Sequence, residues 1–176
     1  YISNRFETFL CCEIPISNPD LSEVPFENII KDFASITQLE DDYECDQCKV
    51  RTKSYRRCTF WRLPDILVFS LKRTIAHVKD GRYVEFKDSR KVLVPDIIDL
   101  ADYTSAPRSN TKYKLYATGN HFGTPRGGHY YANILHENKW LVANDELINQ
   151  GNGDPSHAYL LFFHKICKFI QIWPYT

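Results

Sequence analysis

From residue 50 onward the chain is a succession of short β-prone runs: 50–61, 66–73, 82–87, 113–120, 129–136, 139–144 and 158–165. Turn signals such as Lys79–Asp80–Gly81 and Asn152–Gly153–Asp154 separate them. Val, Ile, Tyr and Phe pack well on a pleated surface, whereas Gly, Asn and Asp accept the backbone angles of tight turns. Short connections leave no room for the crossovers that parallel neighbours need, so the runs predict a mostly antiparallel sheet.

Upstream, residues 6–16 are rich in Phe, Leu, Cys and Ile and read as a buried strand ending at Pro15. One helix follows: Ser22 suits a cap, Pro25 suits a first helical position, and Phe26, Ile29, Ile30, Phe33 and Ile36 recur at helical spacing. That stripe is core. Residues 101–112 form a polar loop. A chain of 176 residues, 43% hydrophobic, can bury one ordinary core, so the expected class is α+β with one main helix.

Lys plus Arg and Asp plus Glu both number 22. No global field draws the chain to nucleic acid or to an anionic membrane, and no run of 18 apolar residues spans a bilayer. The neutrality is uneven: residues 1–50 hold eleven acids and three bases, and residues 51–100 hold six acids and twelve bases. This is either solvated surface charge or an acidic face toward a basic partner. Methionine is absent even from position 1, so the chain reads as an excerpt of a longer protein. The six cysteines are poorly spaced for three disulfides, which favours an intracellular setting, cytoplasmic or nuclear.

Two groups of residues could carry chemistry. Gly127 and Gly128 deliver His129 to the start of a strand, and its hairpin mate ends in Asn144–Asp145. A side-chain oxygen from Asn144 could hold one imidazole nitrogen and leave the other free as a base. No Gly-x-Ser-x-Gly turn supplies a serine nucleophile. Cys11, Cys12, Cys58 and Cys167 lack a setting that would stabilise a thiolate. The base and its orienter therefore lack a target in this chain. The second group is Cys45-x-x-Cys48, which resembles half of a zinc site, with a redox pair and a metal-free knuckle as competing readings.

The chain resembles the ubiquitin-specific proteases, papain-like cysteine deubiquitinases, from about Phe6 to about Phe163. The matching segments are ETFLCCEIPI, YECDQC (Tyr43–Cys48), LPDILVFSLKR (Leu63–Arg73), KYKLYATGNHFGTPRGGHYYANI, KWLVAND and HAYLLFF, in the family's order. Thr74 departs from the family, which usually has Phe there. The resemblance implies that residues 1–176 are the C-terminal portion of one catalytic domain, its palm and zinc-ribbon-like fingers, with the thumb and catalytic Cys upstream. It implies His129 as general base, Asn144 as the orienting third member and Asp145 as an assisting neighbour. His121, Gly127, Gly128 and Tyr130 would contact the tail of ubiquitin, the implied partner, with the two glycines beside a slot too narrow for side chains. The segments His121–Gly128 and 75–91 would flank that channel. No catalytic cofactor is implied; Cys45 and Cys48 would share a structural zinc. The implied reaction is hydrolysis after ubiquitin's C-terminal glycine; the alternatives are a catalytically inactive ubiquitin-binding scaffold and a zinc-ribbon interaction module.

Overall fold

The structure is a computed structural model that describes residues 1–105 and 110–166. Cys167 and positions 106–109 of the polar loop lie outside the described residues. The chain opens with β1 (Cys12–Pro15), β2 (Glu23–Pro25) and α1 (Phe26–Phe33). Four two-residue strands follow: β3 (Thr37–Gln38), β4 (Tyr43–Glu44), β5 (Arg51–Thr52) and β6 (Tyr55–Arg56). Then come β7 (Ile66–Lys72), β8 (Thr74–Lys79), β9 (Arg82–Lys87), β10 (Lys91–Leu93) and β11 (Ile97–Asp99). The chain continues through β12 (Lys112–Thr124), β13 (Gly127–His136), β14 (Lys139–Asn144), β15 (Leu147–Gln150) and β16 (Ala158–Lys165).

The main sheet runs in the order β1-β7-β16-β12-β13-β14-β15, and β11 also pairs with β12. All its pairings are antiparallel except β1 with β7. One edge of β12 is taken by β16, so β11 and β13 share the other edge, β11 opposite residues 112–114 and β13 opposite 117–124. Sharing an edge in this way needs the 13 residues of β12, more than the run 113–120 suggests.

The helix covers one face of this sheet. Along β7, Leu67, Phe69 and Leu71 point into the core and their neighbours do not, the period-two signature of a strand packed on one side. Phe26 and Ile29 of α1 are buried there, with the Phe26 ring 5.3 Å from Phe69 and 6.0 Å from Phe163. Each such side chain contributes about 1.5–3 kcal/mol by leaving water.

Several expected boundaries shift. Residues 6–11 are not strand; Phe6 and Leu10 are exposed, and only Cys12, Ile14 and Ile16 of that run reach the core. Ser22 does not cap α1, because 23–25 is a strand paired with β10 and Pro25 itself is the N-cap. Ile36, 68% exposed, lies beyond the helix end. The run 50–61 breaks into β5 and β6, which pair with β4 and β3 and build an extension off the sheet. Segment 74–87 is a hairpin, β8–β9, turned by Asp80 and Gly81, both with positive φ (51° and 72°).

Candidate active site

His129 and Asn144 meet through sheet register. Ala132 lies opposite Ala143, and continuing that ladder sets Tyr131 opposite Asn144. Side chains two apart on a strand share a face, so His129 stands on the same side, one diagonal step away. Its Nε2 is 2.5 Å from Asn144 Oδ1. An amide oxygen only accepts, so Nε2 donates this bond and carries the proton. The Nδ1 lone pair is then available as a base. Asp145 follows in a left-handed conformation (φ 51°) that Asp tolerates, and its carboxylate lies 3.7 Å from the same Nε2.

A cleft of about 570 Å³ opens beside this pair. Its walls include His129, Asn144 and Tyr131 from the β13–β14 side, Phe122 and His121 from β12, and Lys87 from the end of β9. Arg73, 1% exposed, forms its back. The Arg73 guanidinium donates to the carbonyls of Ala158, Asp88, Arg90 and Ser156 at 2.7–3.1 Å. These four bonds tie the root of the β8–β9 hairpin to the start of β16. Burial lowers the Arg73 pKa, and the nearby Asp88 charge opposes that shift. Burial by itself raises the Asp88 carboxyl, but the bonds and charge of Arg90, with Arg73 beyond, outweigh it and hold the group below its ordinary value. Arg90 also donates to the carbonyls of Ile16, Ser17 and Asn18, so the network reaches the chain after β1.

A family model described as Ubiquitin carboxyl-terminal hydrolase matches residues 17–163. The chain belongs to the ubiquitin carboxyl-terminal hydrolase family. It is 34% identical over 134 residues to Ubiquitin carboxyl-terminal hydrolase 10 of Arabidopsis thaliana, which covers 72% of this chain and 14% of that protein. It is 30% identical over 171 residues to Ubiquitin carboxyl-terminal hydrolase 2 of Gallus gallus, 93% of this chain and 47% of that protein. A solved SAGA DUB module bound to monoubiquitin is similar at TM-score 0.76 and 25% identity, over 90% of this chain and 36% of that one. The chain thus spans less than half the length of each of these relatives. The α+β class and mostly antiparallel sheet expected from the sequence are those of a ubiquitin-specific protease catalytic domain.

Against this family background, His121, Gly127, Gly128 and Tyr130 all fall on the β12–β13 hairpin. Tyr130, 66% exposed, lies across from His121, their ring centroids 4.5 Å apart. Lys87 Nζ donates to the His121 carbonyl at 2.6 Å and sits 3.4 Å from His121 Nδ1. The two glycines have different surroundings within the chain. A Cβ on Gly127 would meet open space, whereas one on Gly128 would overlap the Phe122 carbonyl and the His121 ring. The close approach at Gly128 is therefore made by this chain's own hairpin. Opposite it, Gly123 (φ 124°) faces the Gly127 carbonyl in the same tight ribbon.

The Cys45–Cys48 turn closes the β4–β5 ladder. Cys45 N–H donates to the Val50 carbonyl and Lys49 N–H to the Cys45 carbonyl. The backbone N–H groups of Cys48 and Gln47, with the Cys48 thiol, bond to the Cys45 sulfur and hold its pKa below the ordinary thiol value. Both sulfurs thus occupy one spot, as half of a thiolate site requires. Among the described residues no third ligand joins them, and no group of three or more metal-capable side chains occurs.

The sequence marks no role for Arg73 and leaves Lys87 and Asp88 inside the broad flanking segment 75–91. Arg73 ends the Leu63–Arg73 segment, but four carbonyls converging from residues 88, 90, 156 and 158 leave no local pattern. Trp140 had a partner in the sequence as well: a Cβ on Gly153 would overlap its indole, so the Asn-Gly-Asp turn seats that ring.

Proposed function

We propose that this chain is the palm-and-fingers portion of a thiol-dependent deubiquitinase, which hydrolyses the bond after ubiquitin's C-terminal glycine. The observation that carries it is the bond from His129 Nε2 to Asn144 Oδ1 at the cleft wall, in a chain of this family. Asn144 selects the tautomer in which Nδ1 takes a proton from a thiol, and Asp145 stabilises the resulting imidazolium. The thiol comes from sequence outside this chain. No described cysteine lines the cleft. Burial also pushes the Cys12 pKa up to about 12 and raises that of Cys11, settings that keep a thiol protonated. The five described cysteines are free, in keeping with a reducing intracellular compartment.

The test uses the complete protein, a reporter on ubiquitin's C-terminus and unmodified ubiquitin. His129→Ala is expected to lower turnover by about 10²-fold or more while ubiquitin still binds, because a base acts mainly in the transition state. Near-normal turnover in this variant would collapse the assignment. An inactive wild type that binds ubiquitin would leave the scaffold reading in its place.

A further inference from the structure

Two cations of the cleft, Arg73 and Lys87, form no ion pair among the described residues, and they differ in how far their donors are used. Arg73 gives four of its five N–H donors to carbonyls and is 1% exposed, and Asp88 is engaged by Arg90 at 2.6 Å. Lys87 differs from both. Among the described residues it forms no ion pair; its neighbours are the His121 carbonyl and Nδ1 and, 5.2 Å away, the face of the Tyr159 ring. An ammonium has three N–H donors, and the short bond to the His121 carbonyl uses one of them. Burial and the Arg73 charge lower its pKa, so the site favours an anionic neighbour.

We infer that Lys87 is a carboxylate-binding residue, which holds the C-terminal carboxylate of the released product. The inference rests on the proposed deubiquitinase reading. In the last step of that reaction water adds to the thioester carbonyl and gives one proton to the imidazole. The carbon–sulfur bond breaks and the sulfur leaves as a thiolate. The new carboxylic acid then loses its proton to solvent and becomes a carboxylate. This is the one negative charge on the ubiquitin tail that outlasts the reaction, and it appears in the cleft that His129 and Lys87 share. Before cleavage the same carbonyl is neutral, so the ammonium discriminates product from substrate. The consequence is inhibition by free ubiquitin, with a contribution that disappears when the terminal carboxylate is capped.

The experiment measures binding of unmodified ubiquitin and of C-terminally amidated ubiquitin to the complete protein and to its Lys87→Met and Lys87→Arg variants. A charge-assisted hydrogen bond corresponds to about tenfold in affinity. Wild type is expected to prefer the carboxylate form by about that factor. Lys87→Met should lose the preference by weakening the carboxylate form alone, and Lys87→Arg should keep it. Melting curves identify a variant that has simply failed to fold, and the Arg variant together with wild type then carries the test. Equal weakening of both forms by Lys87→Met would make Lys87 a strut between hairpins and overturn the inference. Equal binding of both forms by wild type would overturn it too, while leaving the deubiquitinase reading intact. Absence of binding to either form, with no reporter turnover, would overturn both.

Discussion

At the scale of single residues, the site depends on two short contacts that different parts of one hairpin system provide. In the proposed mechanism Asn144 acts through the ring it orients, so Asn144→Ala should lower reporter turnover of the complete protein by about 10²-fold. Asn144→Asp keeps an acceptor at the same reach and should retain most of it; near-normal turnover in Asn144→Ala would show that the carboxamide has no orienting role. Gly128 carries a different demand. An added methyl at that position meets the His121 ring and the Phe122 carbonyl, and the carbonyl cannot retreat without opening the hairpin. Gly128→Ala should therefore destabilise by about 1–3 kcal/mol, the usual range for forced overpacking, and thermal unfolding would show it. The same change at Gly127, where a Cβ meets open space, should leave the melting temperature unmoved. Both glycines were legible as close-approach positions, but which one the fold requires depends on the twist of the hairpin.

At the scale of elements, patterns with a local cause were the readable ones. Strands β14 and β16 have the bounds that their residues suggested, because each alternates or runs apolar between clear turns. The helix was legible from Phe26, Ile29 and Ile30, while its start was obscured by the pairing of Glu23–Pro25 with β10, a contact 68 residues away. Strand β15 escaped notice because Leu147–Gln150 is exposed along its length and carries no one-sided pattern. The β4–β5 ladder has only two residue pairs, too few to stand on their own strength. Cys45 and Cys48 at its tip fit half of a structural zinc site, which would hold this extension rigid. Metal analysis of the complete protein should find zinc, and Cys45→Ser with Cys48→Ser should remove it and loosen residues 39–55 in hydrogen exchange. Full zinc content in the double variant would exclude these two thiols as ligands.

At the scale of the whole molecule, the Arg73–Asp88–Arg90 network joins segments far apart in sequence. Arg73→Met would leave four carbonyls without their donor, a loss of about 3 kcal/mol or more, measurable by denaturant unfolding. Arg73→Lys, lacking the planar fork, should recover only part of it. The depressed pKa of Asp88 adds a pH dependence with a definite sign. The unfolded carboxyl binds protons more readily than the folded one, so the contribution is complete above the ordinary carboxylate pKa of about 3.9 and is lost as the pH falls below it. Asp88→Asn should flatten that acid limb; an unchanged limb would mean that other carboxylates produce it.

The sequence by itself determined the class of the fold, the hairpin that joins His129 to Asn144, and the family. Each of these rests on short-range information: alternation, turn residues, and a loop of two residues between β13 and β14 that leaves few places for the partner strand. Only the tertiary structure decided that His121 and Phe122 close on Gly128, that Arg73 binds four carbonyls, and that Lys87 stands in the cleft with no carboxylate against it among the described residues. The last two arrangements join residues 15 to 85 positions apart, most of them through backbone carbonyls. Every residue carries such a carbonyl, so no side-chain pattern in the sequence marks which of them will converge.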